Sequence, residues 1–204
     1  MTEDTARFGY PIVLDLHGVD VLVVGAGPVA ARKVAGLAAA GAVVRVIAPD
    51  VSAAMDAEVV AGNVATLSRR RYAVADVAGA RLVVAATGDE AVDAAVAADA
   101  TAAGVWVNAA DQRGDCSFIL PAIARRGPLS IAVSTDGTSP ALARRLRDRA
   151  GELLTDDVVA LAVRLEAERA AIRSAGGSTE TVDWASHIDP VVAPPRAENA
   201  AEGH

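Results

Sequence analysis

Apolar positions in the first half of the chain concentrate in short runs, separated by stretches in which they recur at helical spacing. Val21–Val24 is wholly apolar, and Ala42–Ala48, Ala80–Ala86 and Val105–Ala110 are each interrupted by one polar residue, Arg45, Arg81 and Asn108. Runs of this length, ended by glycine or charge, read as strands buried on both faces. Between them lie Pro28 to about Ala40, with Ala30, Val34 and Leu37 on one face, then Val51–Ala61, and an Ala-rich stretch that stops at Gly104. Each predicts a helix covering the sheet. Asn63–Ser68 predicts one more short strand. Strand and helix in alternation predict a parallel sheet with right-handed crossovers.

The rhythm changes after Gly114. Ser117–Leu120 and Leu129–Ser134 read as two strands joined by a basic turn through Arg125, Arg126, Gly127 and Pro128. Two strands with no helix between them predict a small separate β element suited to pairing with another subunit. Ser139 and Pro140 then supply an N-cap and a first helical residue for a helix to about Leu154, and Thr155 caps another to about Ser174. The Pro-, Ala- and Glu-rich remainder carries few large apolar residues and is expected to dock loosely or stay mobile. The expected architecture is therefore α/β. A Rossmann-type parallel sheet spans 1–113, a β element 114–137, a helical domain 138–190 and a flexible tail 191–204.

Composition narrows the class. Of 204 residues 52% are hydrophobic but only 3% aromatic, so the core must be built from Ala, Val and Leu. A formal net charge of −7 argues against nucleic acid as a partner, because phosphate neutralisation needs the opposite sign. One cysteine, Cys116, excludes an internal disulfide framework and a Cys-rich metal site, and points to a reducing cytoplasm. Met1–Gly9 carries acids and no apolar core, and no apolar run reaches membrane-spanning length, so neither a signal peptide nor a membrane partner is expected.

The strand at Val21–Val24 breaks into Gly25-Ala-Gly27-Pro28-Val29-Ala30 and opens a helix. Gly25 and Gly27 permit a tight turn and close approach of a phosphate, Pro28 suits a first helical position, and Ala30 lets helix and strand pack closely. The free N–H groups of such a helix start hold a dinucleotide pyrophosphate. Further strand ends fall at Ala48-Pro49-Asp50, at Thr87-Gly88-Asp89 and at Asn108–Asp111. The acid that usually ends the second strand and binds a ribose is replaced by Ala48-Pro49, with Asp50 late. No arginine follows to take a 2′-phosphate, which favours NAD over NADP. Asp111 ends a buried strand on the ligand side, behind two small alanines. It is placed to accept a proton or attract a metal cation, or equally to cap the turn before Gly114. Cys116 has no histidine nearby in sequence and reads as a small buried residue. His17, His187 and His204 are scattered, so no stable metal site is expected. Arg125, Arg126, Arg144, Arg145, Arg147 and Arg149 form the most basic stretch, suited to carboxylate ligands or to a solvated helix face.

Taken in order, five blocks resemble one family: Leu16–Lys33, Val83–Thr87, Asn108–Asp111, Ser117-Phe-Ile-Leu-Pro121 and Ile131–Pro140. The family is precorrin-2 dehydrogenase / sirohydrochlorin ferrochelatase, which forms the N-terminal module of siroheme synthase. The resemblance covers about Tyr10 to Leu154. It implies NAD-dependent removal of two hydrogens from precorrin-2, a homodimer built partly through the middle β region, and a helical C-terminal domain on the tetrapyrrole side. Gly25, Gly27, Pro28, Val29, Ala48, Pro49 and Thr87 are the implied cofactor positions. Asn108, Ser117, Ser134, Thr135, Thr138 and Ser139 are the implied substrate positions. Asp111 is the implied base, and the implied metal-binding group if Fe²⁺ or Co²⁺ insertion occurs at the same site. Thr135 and Asp136 depart from the family's Ser-Ser-Gly-Gly-Thr-Ser-Pro. Two other readings stand beside dehydrogenation: a bifunctional dehydrogenase and chelatase, and a non-catalytic NAD-sensing regulatory domain. The latter normally carries the missing strand-two acid and lacks the Ser-Phe-Ile-Leu-Pro and Gly-Thr-Ser-Pro blocks.

Overall fold

The computed structural model describes residues 7–192. The chain divides after Leu120 into two compact units. In the first, five parallel strands lie in the order β3-β2-β1-β4-β5: β1 Asp20–Val24, β2 Val43–Ile47, β3 Thr66–Ser68, β4 Leu82–Ala85 and β5 Trp106–Ala109. The helices are α1 Pro28–Ala39, α2 Ala53–Val60 and α3 Glu90–Ala102. Leu22 pairs with Arg45 on one side and Val83 on the other, so β1 is central and both its faces are covered.

That double coverage explains why the strands are so largely apolar. Val23, Val44, Val46 and Val84 pack with Ala30, Ala31, Val34 and Met55 beneath α1 and α2. Leu22, Val24, Val83 and Val107 pack with Val96, Ala97 and Ala100 of α3 on the opposite face. Successive residues of β1 thus feed alternate layers, as a pleated strand requires. Small helix residues bring helix and sheet close without aromatic filling. The order reverses between β1 and β4, and there the carboxyl ends of the strands open a crevice.

The second unit begins with an antiparallel hairpin, β6 Ala122–Arg126 and β7 Leu129–Val133, with Arg126 opposite Leu129. The reading of Ser117–Leu120 as a strand is corrected. That segment stays in the first unit because the Ser117 hydroxyl accepts from the Val107 N–H at 2.7 Å and donates to the Val107 carbonyl at 3.2 Å. The Ser117 N–H also donates to the Val107 carbonyl at 2.8 Å, a single pairing that does not extend into a ladder, and the first unit runs past the expected boundary at 113. Arg125 and Arg126 likewise belong to β6, leaving only Gly127-Pro128 as the turn.

Helix α4, Pro140–Gly151, packs across the hairpin, and α5, Asp156–Ser174, follows its Thr155 cap. The stretch beyond Ser174 is more ordered than its composition predicts. Ala185–Val192 forms α6, with Pro190 inside it, and packs on α5. Trp184 anchors it: its Nε1–H donates to the Thr179 carbonyl at 2.9 Å, and the Arg169 guanidinium lies over its ring at 5.9 Å. His187 Nδ1 stands 3.3 Å from Glu168 Oε2. Of the expected tail, only residues 191 and 192 are described, and they are helical; the rest lies outside the described residues.

Candidate active site

The crevice is built first by Gly25. Its φ of +109° is a conformation L side chains rarely adopt, and its N–H donates to the Ile47 carbonyl at 2.9 Å. A Cβ there would stand 2.2 Å from the Ala86 oxygen, so only glycine lets the turn close on the end of β4. Gly27 serves differently. It is the N-cap of α1 at φ −78° and ψ 178°, and a Cβ on it would meet nothing within 4 Å. No side chain caps α1 and no acid lies in its first turn. By contrast Ser52, Asp89, Ser139 and Thr155 cap α2 to α5 with their own oxygens. The amides opening α1 are thus left facing open space, which is what a pyrophosphate needs. Pro28 and Val29 are exposed beside it, at the carboxyl edge. These features fit a bound dinucleotide.

Other predicted cofactor positions shape the edge. Buried Ala48 donates its N–H to the Ser68 carbonyl at 3.1 Å and leads to exposed Pro49. Thr87 is tied down: its N–H and hydroxyl donate to Asp93 Oδ1 at 3.0 and 2.8 Å. Asp93 is buried, so this pair fixes the β4–α3 turn from inside.

Asp111 follows β5 with φ +62°, one of two described non-glycine residues in the left-handed region; Asp136 is the other. It is exposed, and no hydrogen bond to its carboxylate occurs among the described residues. A residue capping the turn would show such a bond. The turn holds without it: Ala110 N–H donates to Ala85 O at 2.8 Å, Gln112 Nε2 to Glu90 O at 3.0 Å, and Cys116 Sγ to the Ala109 carbonyl at 3.2 Å. Cys116 is buried, and burial pushes its thiol above the ordinary range, against the Ala109 contact and the Lys33 charge. It packs rather than reacts.

Asn108 is buried under this turn with both ends of its amide engaged. Nδ2 donates to the Phe118 carbonyl at 3.0 Å, and Oδ1 accepts from Lys33 Nζ at 2.7 Å. The sequence reading missed Lys33, which reaches from α1 to β5. A signal was present, since it is the only lysine among 19 basic side chains. Burial depresses its ammonium below the ordinary lysine value, while Cys116 and Asp111 pull it back up.

In the second unit, the remaining predicted positions form the turn from β7 into α4. Thr135 Oγ1 accepts from the Ser139 N–H at 3.2 Å, and Ser134 Oγ accepts from the Asp136 N–H at 3.1 Å. Ser139 Oγ caps α4 by accepting from Leu142 N–H at 3.3 Å. Thr138 is exposed, and its hydroxyl has no hydrogen bond among the described residues. Among those residues no group of three or more His, Cys, Asp or Glu could hold a metal ion, and no helix is long and apolar enough to cross a membrane.

A five-stranded parallel sheet with an open helix N-terminus at its switch point defines an NAD(P)-binding protein of the Rossmann class. Residues 12–122 match a family model described as putative NAD(P)-binding, and residues 126–149 match one described as sirohaem biosynthesis protein central. Siroheme synthase of Pseudomonas fluorescens (strain Pf0-1) is 48% identical over 137 residues, which are 67% of this chain and 29% of that protein. Siroheme synthase of Gluconacetobacter diazotrophicus is 42% identical over 178 residues, 86% of this chain and 38% of that one. The chain thus spans under two-fifths of either relative. Among solved structures, SirC, precorrin-2 dehydrogenase, superposes with a TM-score of 0.69 at 31% identity, covering 84% of each chain. The chain belongs to the precorrin-2 dehydrogenase / sirohydrochlorin ferrochelatase family.

Proposed function

We propose that this protein catalyses the NAD-dependent dehydrogenation of precorrin-2 to sirohydrochlorin in siroheme biosynthesis. One observation carries the reading: a single sheet edge bears both the uncapped N-terminus of α1 and the exposed, unpartnered carboxylate of Asp111. Dehydrogenation needs those two things, an acceptor site for a hydride and a base for a proton. NAD⁺ bound at the edge supplies the acceptor. Gly25 and Gly27 leave room for its pyrophosphate, and the first amides of α1 bind that charge.

Two hydrogens leave the substrate, one as a hydride and one as a proton. Asp111 takes the proton, its oxygens free of any competing bond among the described residues. Its left-handed backbone is strain of the kind that collects at working residues. The balance is precorrin-2 plus NAD⁺ giving sirohydrochlorin, NADH and a proton. Purified protein, precorrin-2 and NAD⁺ mixed without oxygen are expected to yield NADH and the sirohydrochlorin spectrum together. No NADH at saturating substrate overturns the assignment.

The working form is a homodimer. The β6–β7 sheet has only two strands, marginal on its own, and open strand edges pair readily with a second copy. Light scattering after gel filtration is expected to give twice the chain mass. The compartment is the cytoplasm, consistent with a single buried thiol and a soluble redox cofactor; cell fractionation tests it.

A further inference from the structure

Lys33 stands out by chemistry and by place. The chain answers every other need for a positive side chain with arginine, 18 times. The one lysine is half-buried between α1 and β5, beneath the turn that carries Asp111. Its sole hydrogen-bond partner among the described residues is a neutral amide oxygen, Asn108 Oδ1 at 2.7 Å. No carboxylate among the described residues forms an ion pair with it. An ammonium drawn out of water is normally paired with an anion, because desolvation of an unpaired charge is costly. Here two of its three N–H donors remain uncommitted.

Its direction follows from helix geometry. Side chains on a helix lean toward its N-terminus, so Lys33 reaches back from the second turn of α1 to the carboxyl edge of the sheet. It comes close enough to Asp111 and Cys116 to feel their charge. Asp111 is exposed and does not close on it, which leaves the ammonium facing the crevice without a counter-ion.

We propose that Lys33 is an anion-binding residue of the active site, its ammonium seated on Asn108 and completed by an oxyanion of a bound ligand. That oxyanion belongs either to the pyrophosphate of the dinucleotide or to a carboxylate of the substrate. The assignment rests on the dehydrogenase reading for the identity of those ligands. A flexible point charge can sit on Asn108 Oδ1 and keep donors for a ligand, whereas a planar guanidinium fixes its donors in one fork. The depressed basicity of Lys33 agrees with a desolvated cation that gains from an anion.

With a single lysine in the chain, reductive dimethylation labels only Lys33 and the N-terminal amine, which serves as the internal reference. Labelling is followed by peptide mass spectrometry with NAD⁺ alone and, anaerobically, with sirohydrochlorin alone, while calorimetry confirms that each binds. Protection of Lys33 by about tenfold is expected from one of them, the size of a charge-assisted contact. Protection by NAD⁺ assigns the pyrophosphate, and protection by sirohydrochlorin assigns the carboxylate. Binding of both without protection by either overturns the proposal. Absence of any binding overturns the dehydrogenase reading and this inference with it. Lys33→Met and Lys33→Gln add a second test. Glutamine keeps a donor for Asn108 but no charge, so both variants are expected to weaken the protecting ligand by about tenfold. A purely structural strut would leave Lys33→Gln near wild type, which refutes the assignment. Should either variant fail to fold, the wild-type labelling decides.

Discussion

Replacing Gly25 and Gly27 by alanine, one at a time, separates what the glycine turn does for the fold from what it does for the cofactor. At Gly25 the new Cβ would lie 2.2 Å from Ala86 O, 2.6 Å from Ala86 C and 2.9 Å from Thr87 Cα, all backbone. That backbone cannot drift cheaply, because Ala86 N–H is bonded to Val24 O at 2.8 Å and Gly25 N–H to Ile47 O at 2.9 Å. Overpacking costs about 1–3 kcal/mol, and the φ of +109° adds at least about 1–2 kcal/mol for an L-residue. Their sum, about 2–5 kcal/mol, corresponds to a melting transition lowered by roughly 5–20 °C at this size. At Gly27 the backbone is extended and the Cβ meets nothing within 4 Å. Only the N-cap preference is lost, about 1 kcal/mol or less. The added methyl does intrude where the pyrophosphate is to lie. Loss of one or two charge-assisted bonds there, about 1.5–3 kcal/mol each, predicts an NAD⁺ KM raised by about tenfold or more. Scanning calorimetry and NADH kinetics read the two effects. Gly27→Ala with wild-type melting and wild-type KM refutes the dinucleotide site. Gly25→Ala melting within about 2 °C of wild type refutes the steric argument.

Other substitutions probe the remaining parts. Asp111→Asn is expected to lower kcat by about 10²–10⁴ with the NAD⁺ KM changed only a few-fold, and to fold normally, since asparagine tolerates the left-handed region. A destabilised Asp111→Asn with unchanged kcat would return the residue to a turn-forming role. Asp93→Ala leaves the Thr87 N–H without its acceptor and the Thr87 hydroxyl with only the Asp89 carbonyl, and is expected to cost about 1–3 kcal/mol in urea unfolding. The Arg70 hydrogen bond holds the Asp76 carboxyl below its ordinary 3.8, against desolvation and helped by the Ala73 N–H. Its contribution is therefore present above pH 3.8 and fades as pH falls through the lower folded value. The melting difference between wild type and Asp76→Asn should accordingly shrink on acidification. A gap that widens instead contradicts the ion pair.

What the sequence reveals of this molecule follows from which constraints are local. Strands β1, β2, β4 and β5 are legible because burial on both faces turns each into a largely apolar run, broken only by Arg45 in β2 and Asn108 in β5, and because capping residues such as Asp89, Ser139 and Thr155 mark helix starts. The segment after Gly114 misleads for a physical reason. Ser117–Leu120 has the composition of a strand, yet only Ser117 meets the Val107 backbone, through both its N–H and its hydroxyl, and no ladder follows. Helix α6 is hidden by Pro190 and by an anchor, Trp184, whose partners Thr179 and Arg169 carry no periodic pattern. Asp111 is visible as a strand end, but its freedom from hydrogen bonds is a property of three dimensions.

The least legible feature bears most directly on chemistry. Lys33 and Asn108 are 75 residues apart and lie on different elements, yet one hydrogen bond links helix α1, with its open N-terminus, to the strand that leads to Asp111. Asn108 also holds the Phe118 carbonyl, and Cys116 donates back to the carbonyls of Ala109 and Gln112 on either side of Asp111. The strained Asp111 backbone is thus braced from below while its carboxylate is left unbound. Were the same turn held by Asp111 itself, the oxygens would be occupied and the base lost. Giving the structural bonds to Asn108, Ser117 and Cys116 keeps the Asp111 carboxylate available to a ligand. On this geometry, Asn108→Ala should lower kcat through misplacement of Asp111 even if Asn108 never touches the substrate. The matching expectation is that Asp111→Asn combined with Asn108→Ala costs little more than Asp111→Asn alone, because both act through the same carboxylate. Independent, multiplicative losses in that double-mutant cycle would show that Asn108 acts apart from Asp111, through Lys33 or on the ligand itself.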